Sequence, residues 1–343
     1  MSAGLLAWAG LLGFLLAMVI VDLKVGSTDR MTIRSATAWS VIWVVLALVF
    51  GAVLWVLEGT EAGETYVAGY VIERALSLDN VFVFALIFST LGVPREEQPR
   101  VLLWGILIAL GLRAVFIFAG AEALEQYSWT AWPFAAVLAW TGWRVLRSGG
   151  EHDEGAKIVE RVQARFPAMK PAAAALVAVA VADVIFAVDS VPAILAITTD
   201  TFIVFSANAF ALLGLRALFF LVVGAVDRFA YLEVGLGVLL IAIAGKLAYG
   251  ELTGEKISPL LTLAVILGVL AAAVVASLIK ERRGRSPAPP QGARPGSKLS
   301  ETGSASGGGG PARGPETRLP SAQDRGGAVG RAPRRSSLPR RTR

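Results

Sequence analysis

Two acidic pairs stand in the middle of apolar stretches where water is not expected. Glu73 and Asp79 are followed by Asn80 and Val81, and Asp183 and Asp189 by Ser190 and Val191. Each pair reads acid, five residues, acid, small polar residue, Val, and 110 residues separate the two copies. A second repeat lies downstream of each: Leu110-Gly111-Leu112-Arg113-Ala114 and Leu213-Gly214-Leu215-Arg216-Ala217, 103 residues apart. Carboxylates, an amide and hydroxyls are hard oxygen donors, the set that suits Mg²⁺, Ca²⁺ or Mn²⁺ and repels anions. With no Cys and a single His, His152 in a polar loop, thiolate sites, disulfides and paired-His ligation are excluded. A metal site must be built from oxygen.

An ionisable residue at the centre of a bilayer costs roughly 2.5–3.5 kcal/mol on insertion scales, so such residues call for a reason. The plain alternative is that the acids and Arg113 and Arg216 simply pair and tie helices together. Two arginines do not neutralise four acids, although Arg74 offers a third positive charge if it faces the bundle. A bound cation balances the remainder. Buried carboxylates can also titrate, so protons are available as the exchange partner.

The elements that must position these residues are membrane spans. The chain has 343 residues, 55% of them hydrophobic. Apolar runs of 17–25 residues are long enough for a bilayer core of about 30 Å. Nine are expected, near 4–21, 37–57, 66–91, 101–120, 130–146, 172–197, 202–225, 231–249 and 259–279, giving an all-α polytopic bundle. No basic residue precedes Gly4, so 4–21 is read as a retained span and not as a cleaved leader. The polar fifth loop is expected to hold a short helix near 156–166.

The acidic repeats lie three spans apart, an odd number, so they run in opposite directions. The sequence thus predicts an inverted three-plus-three core, repeat one at about 66–146 and repeat two at about 172–249, with spans one, two and nine added. Inverted repeats of this kind are common in secondary transporters, whose sites lie near the midplane. Positions seven apart on a helix share a face, whereas positions six apart do not. Glu73 therefore aligns with Asn80 and Asp183 with Ser190, leaving Asp79 and Asp189 on other faces. Local unwinding is expected to bring both acids of a span to one site, with Pro192 as its cause in the second repeat.

Odd loops carry the basic residues (Arg30 and Arg34, Arg95 and Arg100, Lys157 to Lys170, Arg228), whereas the even loops hold only Lys256. The positive-inside rule puts the N-terminus outside and the C-terminus in the cytoplasm. Residues 281–343 hold 14 Lys and Arg against 4 Asp and Glu. The net +6 of the chain therefore leaves the first 280 residues at −4. That Pro-, Gly- and Arg-rich segment is expected to be a disordered cytoplasmic tail, its Arg334-Arg335 and Arg340-Arg341 pairs suited to anionic lipid or nucleic acid. Nucleophile, base and cofactor signatures are absent, so no enzyme is expected.

The motif Glu73-Arg74-Ala75-Leu76-Ser77-Leu78-Asp79-Asn80-Val81-Phe82-Val83-Phe84 resembles the TerC family, named for tellurium resistance. So do Asp183-Val184-Ile185-Phe186-Ala187-Val188-Asp189-Ser190-Val191-Pro192 and the stretch from Ala207-Asn208 to Arg216-Ala217. The similarity covers about residues 5–280. It implies a multi-pass inner-membrane protein related to the LysE-type exporter superfamily, with bacterial relatives acting in manganese export and plant relatives in thylakoid membrane biogenesis. Carried over by motif, the resemblance implies Glu73, Asp79, Asn80, Asp183 and Asp189 as cation ligands. Arg113, Arg216, Ser190 and Asn208 are implied supports. Some relatives have a Glu where this chain has Ala180, and the fifth loop is shorter than in many of them. Three functions follow: divalent-cation export with manganese foremost, a non-transporting membrane scaffold or stress factor, and tellurite resistance. An acidic site disfavours the last.

Overall fold

The computed structural model describes residues 4–26, 33–148, 153–222, 231–255 and 257–284. They fall in the first of two units into which the chain divides, Met1–Pro287. The basic tail from residue 285 onward lies outside the described residues, as do Arg30, His152, Arg228 and Lys256.

Among the described residues the structure is helical, with no strand. The helices are α1 (Leu5–Gly26), α2 (Ile33–Glu58), α3 (Thr60–Thr90), α4 (Gln98–Gln126), α5 (Ala131–Ser148) and α6 (Asp153–Arg165). They continue with α7 (Pro171–Leu195), α8 (Thr201–Leu213), α9 (Leu215–Val222), α10 (Leu232–Thr253) and α11 (Pro259–Gly284). Start and stop signals explain several ends. Pro171 opens α7 where its missing N–H costs nothing. The Asp200 carboxylate caps α8 by accepting from the amides of Phe202 and Ile203 at 3.0 and 3.2 Å. Gly254, at φ 72°, closes α10 in the left-handed conformation.

Among the described residues each expected span lies largely in helix, and the short helix expected in the fifth loop is α6. Among the described residues six segments are long and apolar enough to cross a membrane: α2, α4, α7, Thr201–Leu221, α10 and Pro259–Lys280. The apolar part of α1, Leu5–Val21, is shorter. The 31-residue α3 is not among the six, because Glu73, Arg74 and Asp79 interrupt its middle. On length and composition, six of the nine expected spans are therefore met.

Burial separates centre from periphery. In Thr201–Leu221, 94% of the apolar window is buried, against 22% for α2 and for α11. The outer helices expose Val45, Val49, Val56, Leu261, Leu267 and Val275. So much contiguous apolar surface is unlike that of a soluble protein and suits contact with lipid tails.

The seventh span is not one helix. It breaks at Gly214 between α8 and α9. The Arg74 guanidinium enters there, its Nη1 donating to the Ala211 carbonyl at 3.0 Å, and a Cβ on Gly214 would fall 2.7 Å from that nitrogen. Among the described residues Arg74 thus serves a carbonyl near the break.

The unwinding expected around the acids is also absent. Both α3 and α7 are continuous through their acidic motifs. Pro192 lies three residues from the end of α7, so its missing N–H removes only the bond to the Val188 carbonyl and does not break the helix. In α7 no break is needed, because α4 meets Asp183 through Arg113 and α5 meets Asp189 through Thr141.

Candidate functional site

Arg113 on α4 is wholly buried and holds two carboxylates from two other helices. Its Nε donates to Asp183 at 3.3 and 3.4 Å, and its Nη2 donates to Asp183 Oδ1 at 3.1 Å. Its Nη1 donates to Glu73 Oε1. Glu73 is 0% exposed and Asp183 is 1% exposed. The second Glu73 oxygen, Oε2, has no hydrogen-bond partner among the described residues. Small residues allow the reach. A Cβ on Gly105 would fall 2.7 Å from Val179 Cγ1, so α4 and α7 approach closely two turns before Arg113. Buried Ala109 and Ala182 continue that seam.

One guanidinium between two carboxylates leaves this buried triad with a formal charge of −1. A pair of unit charges about 4 Å apart gains about 4 kcal/mol at an effective dielectric constant near 20. Burying the ions costs several kcal/mol each. Apolar side chains would serve packing at lower cost, so the triad is weak evidence for a purely structural role.

Beside the triad lies a cavity of about 70 Å³. Asn80 from α3, Asp189 and Ser190 from α7, Thr141 from α5 and Arg113 itself line it. Thr141 Oγ1 donates to Asp189 Oδ1 at 2.7 Å, a short bond to a carboxylate. Ser190 is 2% exposed and its hydroxyl has no partner among the described residues. At the other end the lining includes Glu233, half-buried at the start of α10, and Arg144, exposed on α5. The cavity thus runs from a buried arginine to an accessible one. A water needs roughly 10–15 Å³ by the same measure, so a cation with part of its hydration shell fits.

The candidates from the sequence therefore fall into two adjoining groups. Glu73, Asp183 and Arg113 form the locked triad. Asn80, Asp189 and Ser190 face the cavity, and Arg113 belongs to both. The side chain of Asp79 lies outside the described ones. Asn208 is fully buried on α8, away from the cavity lining, and both its amide atoms lack partners among the described residues. Arg216 is buried on α9 and does not line the cavity. Among the described residues no three Asp, Glu or His side chains come close enough together to hold a metal. Sequence reasoning missed Thr141, Arg144 and Glu233. Thr141 left one readable signal, a hydroxyl inside the apolar run Ala135–Trp143.

An all-helical chain with lipid-suited faces and a charged, partly hollow centre defines a polytopic membrane protein. Residues 58–285 match the integral membrane protein TerC family, and the chain belongs to that family. It is 42% identical to the uncharacterized membrane protein STKORF319 of Myxococcus xanthus over 80% of this chain and 92% of that one. It is 35% identical to Alx of Escherichia coli K12, described by its name as a candidate membrane-bound redox modulator, over 77% and 92%. Identity to the tellurium resistance protein TerC of Serratia marcescens is 33% over 76% and 90%. No solved structure matches the chain.

Proposed function

We propose that this protein exports a divalent metal cation, manganese foremost, across the cytoplasmic membrane, and that it is a transporter and not an enzyme. The observation that carries the reading is the cavity. A hollow of about 70 Å³ in the bundle presents the Asp189 and Glu233 carboxylates, an amide and two hydroxyls, with Arg113 and Arg144 at its margins, beside a triad with one negative charge in excess. Hard oxygen donors with room for residual water are what Mn²⁺ and its neighbours accept. Asp189 and Asn80 are the first ligands, joined by Asp79 from its motif, while Glu73 and Asp183 become ligands when Arg113 releases them. Arg113 then acts as the internal counter-ion of the empty protein, and protons are the candidate exchange partner.

Helix packing supports the inverted repeat. The α3–α8 contact has a counterpart in α4–α7, and α3–α7 and α5–α10 pair like with like. That is the pattern of two three-span halves related by a twofold axis in the membrane plane. With the N-terminus outside, Arg144 and Glu233 stand at the cytoplasmic end, so the cavity is the inward-facing approach.

The names of the relatives suggest redox modulation and tellurium resistance. This sequence has no cysteine, so thiol chemistry has no carrier here. An anionic tellurium oxide would meet Asp189 and Glu233 as well as Arg113 and Arg144, and the first two offer it no hydrogen-bond donor when ionised. The scaffold reading is favoured only by the Arg113 triad, which also serves as a helix tie.

The test is cellular manganese after overexpression. The wild type is expected to lower manganese content and raise tolerance, whereas Asp189→Asn accumulates equally in the membrane and does neither. Unchanged manganese content with the wild type argues against export.

A further inference from the structure

Thr141 does not belong to either acidic repeat, yet its hydroxyl donates to Asp189 Oδ1 at 2.7 Å and it faces the cavity. Its place is fixed by the residue that follows. A Cβ on Gly142 would fall 2.6 Å from the Gly237 carbonyl oxygen, and a Cβ on Gly237 would fall 2.9 Å from the Gly142 oxygen. Helices α5 and α10 thus touch backbone to backbone. Around that contact, Thr141 and Val145 of α5 and Glu233, Leu236 and Leu240 of α10 line the cavity. The two helices form one wall, facing Asn80 and Ser190 on the other.

Packing does not require a hydroxyl here, because valine has the same shape. The hydroxyl contributes direction. It gives its proton to Asp189 Oδ1, which fixes the carboxylate, and it leaves its own lone pairs for the cavity. A neutral hydroxyl does this without cancelling the carboxylate charge, whereas Arg113 offsets the charges of Glu73 and Asp183. Hydrogen bonds to a charged acceptor are stronger than neutral ones and constrain geometry accordingly.

We propose that Thr141 is a positioning residue of the cation site, aiming the Asp189 carboxylate into the cavity and adding a neutral oxygen to the donor set of Asn80 and Ser190. The occupant is a partly hydrated, hard divalent cation. This inference rests on the export reading, and the experiment separates the two.

The full chain is reconstituted into lipid vesicles, Mn²⁺ uptake is followed against concentration, and Mn²⁺ binding is read from the paramagnetic signal of the free ion. Thr141→Val is expected to raise KM and Kd about tenfold, the size of one lost charge-assisted hydrogen bond, with the maximal rate changed less than about twofold. Thr141→Ser restores both constants to within about twofold of the wild type, and Thr141→Val adds nothing in an Asp189→Asn background. Thr141→Ala reads the same loss if the valine variant does not accumulate. Unchanged KM and Kd in Thr141→Val, or a serine variant no better than valine, overturns the role of Thr141 and leaves export standing. A wild type that neither binds nor moves Mn²⁺ overturns both.

Discussion

Arg113 carries two carboxylates with one guanidinium, and what removing it does separates a structural tie from a working part. With Arg113→Met the two acids remain buried and uncompensated, which costs about 3–5 kcal/mol. The variant is expected to lose most of its membrane accumulation or to melt far below the wild type in detergent. Adding Glu73→Gln and Asp183→Asn to Arg113→Met removes the uncompensated charge, and thermal stability is expected to recover by more than half while manganese export stays absent. Recovery of both would make the triad dispensable; recovery of neither would mean that the arginine acts through contacts other than these acids. The charged types were legible in the sequence, because an acid or arginine inside an apolar run is conspicuous. Which arginine meets which acid was not. That depends on the close approach of α4 and α7 at Gly105, a contact between residues 74 apart in the chain. Thr141 was harder still, since its importance comes only from lying across the bundle from Asp189.

Glycines at crossings set how closely the helices pack. Gly142→Ala drives a methyl into the Gly237 carbonyl, a rigid backbone neighbour, and is expected to destabilise by about 1–3 kcal/mol. Gly245→Ala and Gly268→Ala meet nothing within 4 Å and are expected to be neutral or slightly stabilising. Thermal denaturation of the three purified variants checks the contrast, and equal melting temperatures would refute it. The repeated Leu-Gly-Leu-Arg-Ala motif shows why element boundaries were only partly legible. Around Gly111 it is continuous helix with open space at the glycine; around Gly214 it breaks where the Arg74 guanidinium packs. Identical local residues adopt different structures because a distant side chain intervenes in one copy. If so, Gly214→Ala costs stability in the wild type and becomes neutral or favourable in an Arg74→Met background, a coupling that a double-mutant cycle measures. Additive effects would contradict the contact.

At the scale of the whole molecule, hydropathy made the helices legible because a span has to be apolar over about 20 residues. The apolar run 66–91 marked α3 as well, although its charges make it the least span-like long helix by composition, and it is the one that supplies Glu73 and Asn80. The positive-inside rule predicts from the loop charge a cytoplasmic C-terminus, and a pair of fusions tests it. A fluorescent protein fused after Arg343 is expected to mature and glow, whereas alkaline phosphatase at the same position stays inactive; the opposite pair of results would invert the topology and turn the cavity outward. The central claim is that the hollow beside Arg113 is a passage for a divalent cation. Its most direct test is Mn²⁺ uptake into vesicles holding the purified chain, with Mg²⁺ and Ca²⁺ as competitors. The expected result is saturable uptake by the wild type, outcompeted by unlabelled manganese more effectively than by magnesium or calcium, and abolished in Asp189→Asn protein that is equally well inserted. Wild-type uptake no faster than in protein-free vesicles, or uptake indifferent to Asp189→Asn, would contradict it.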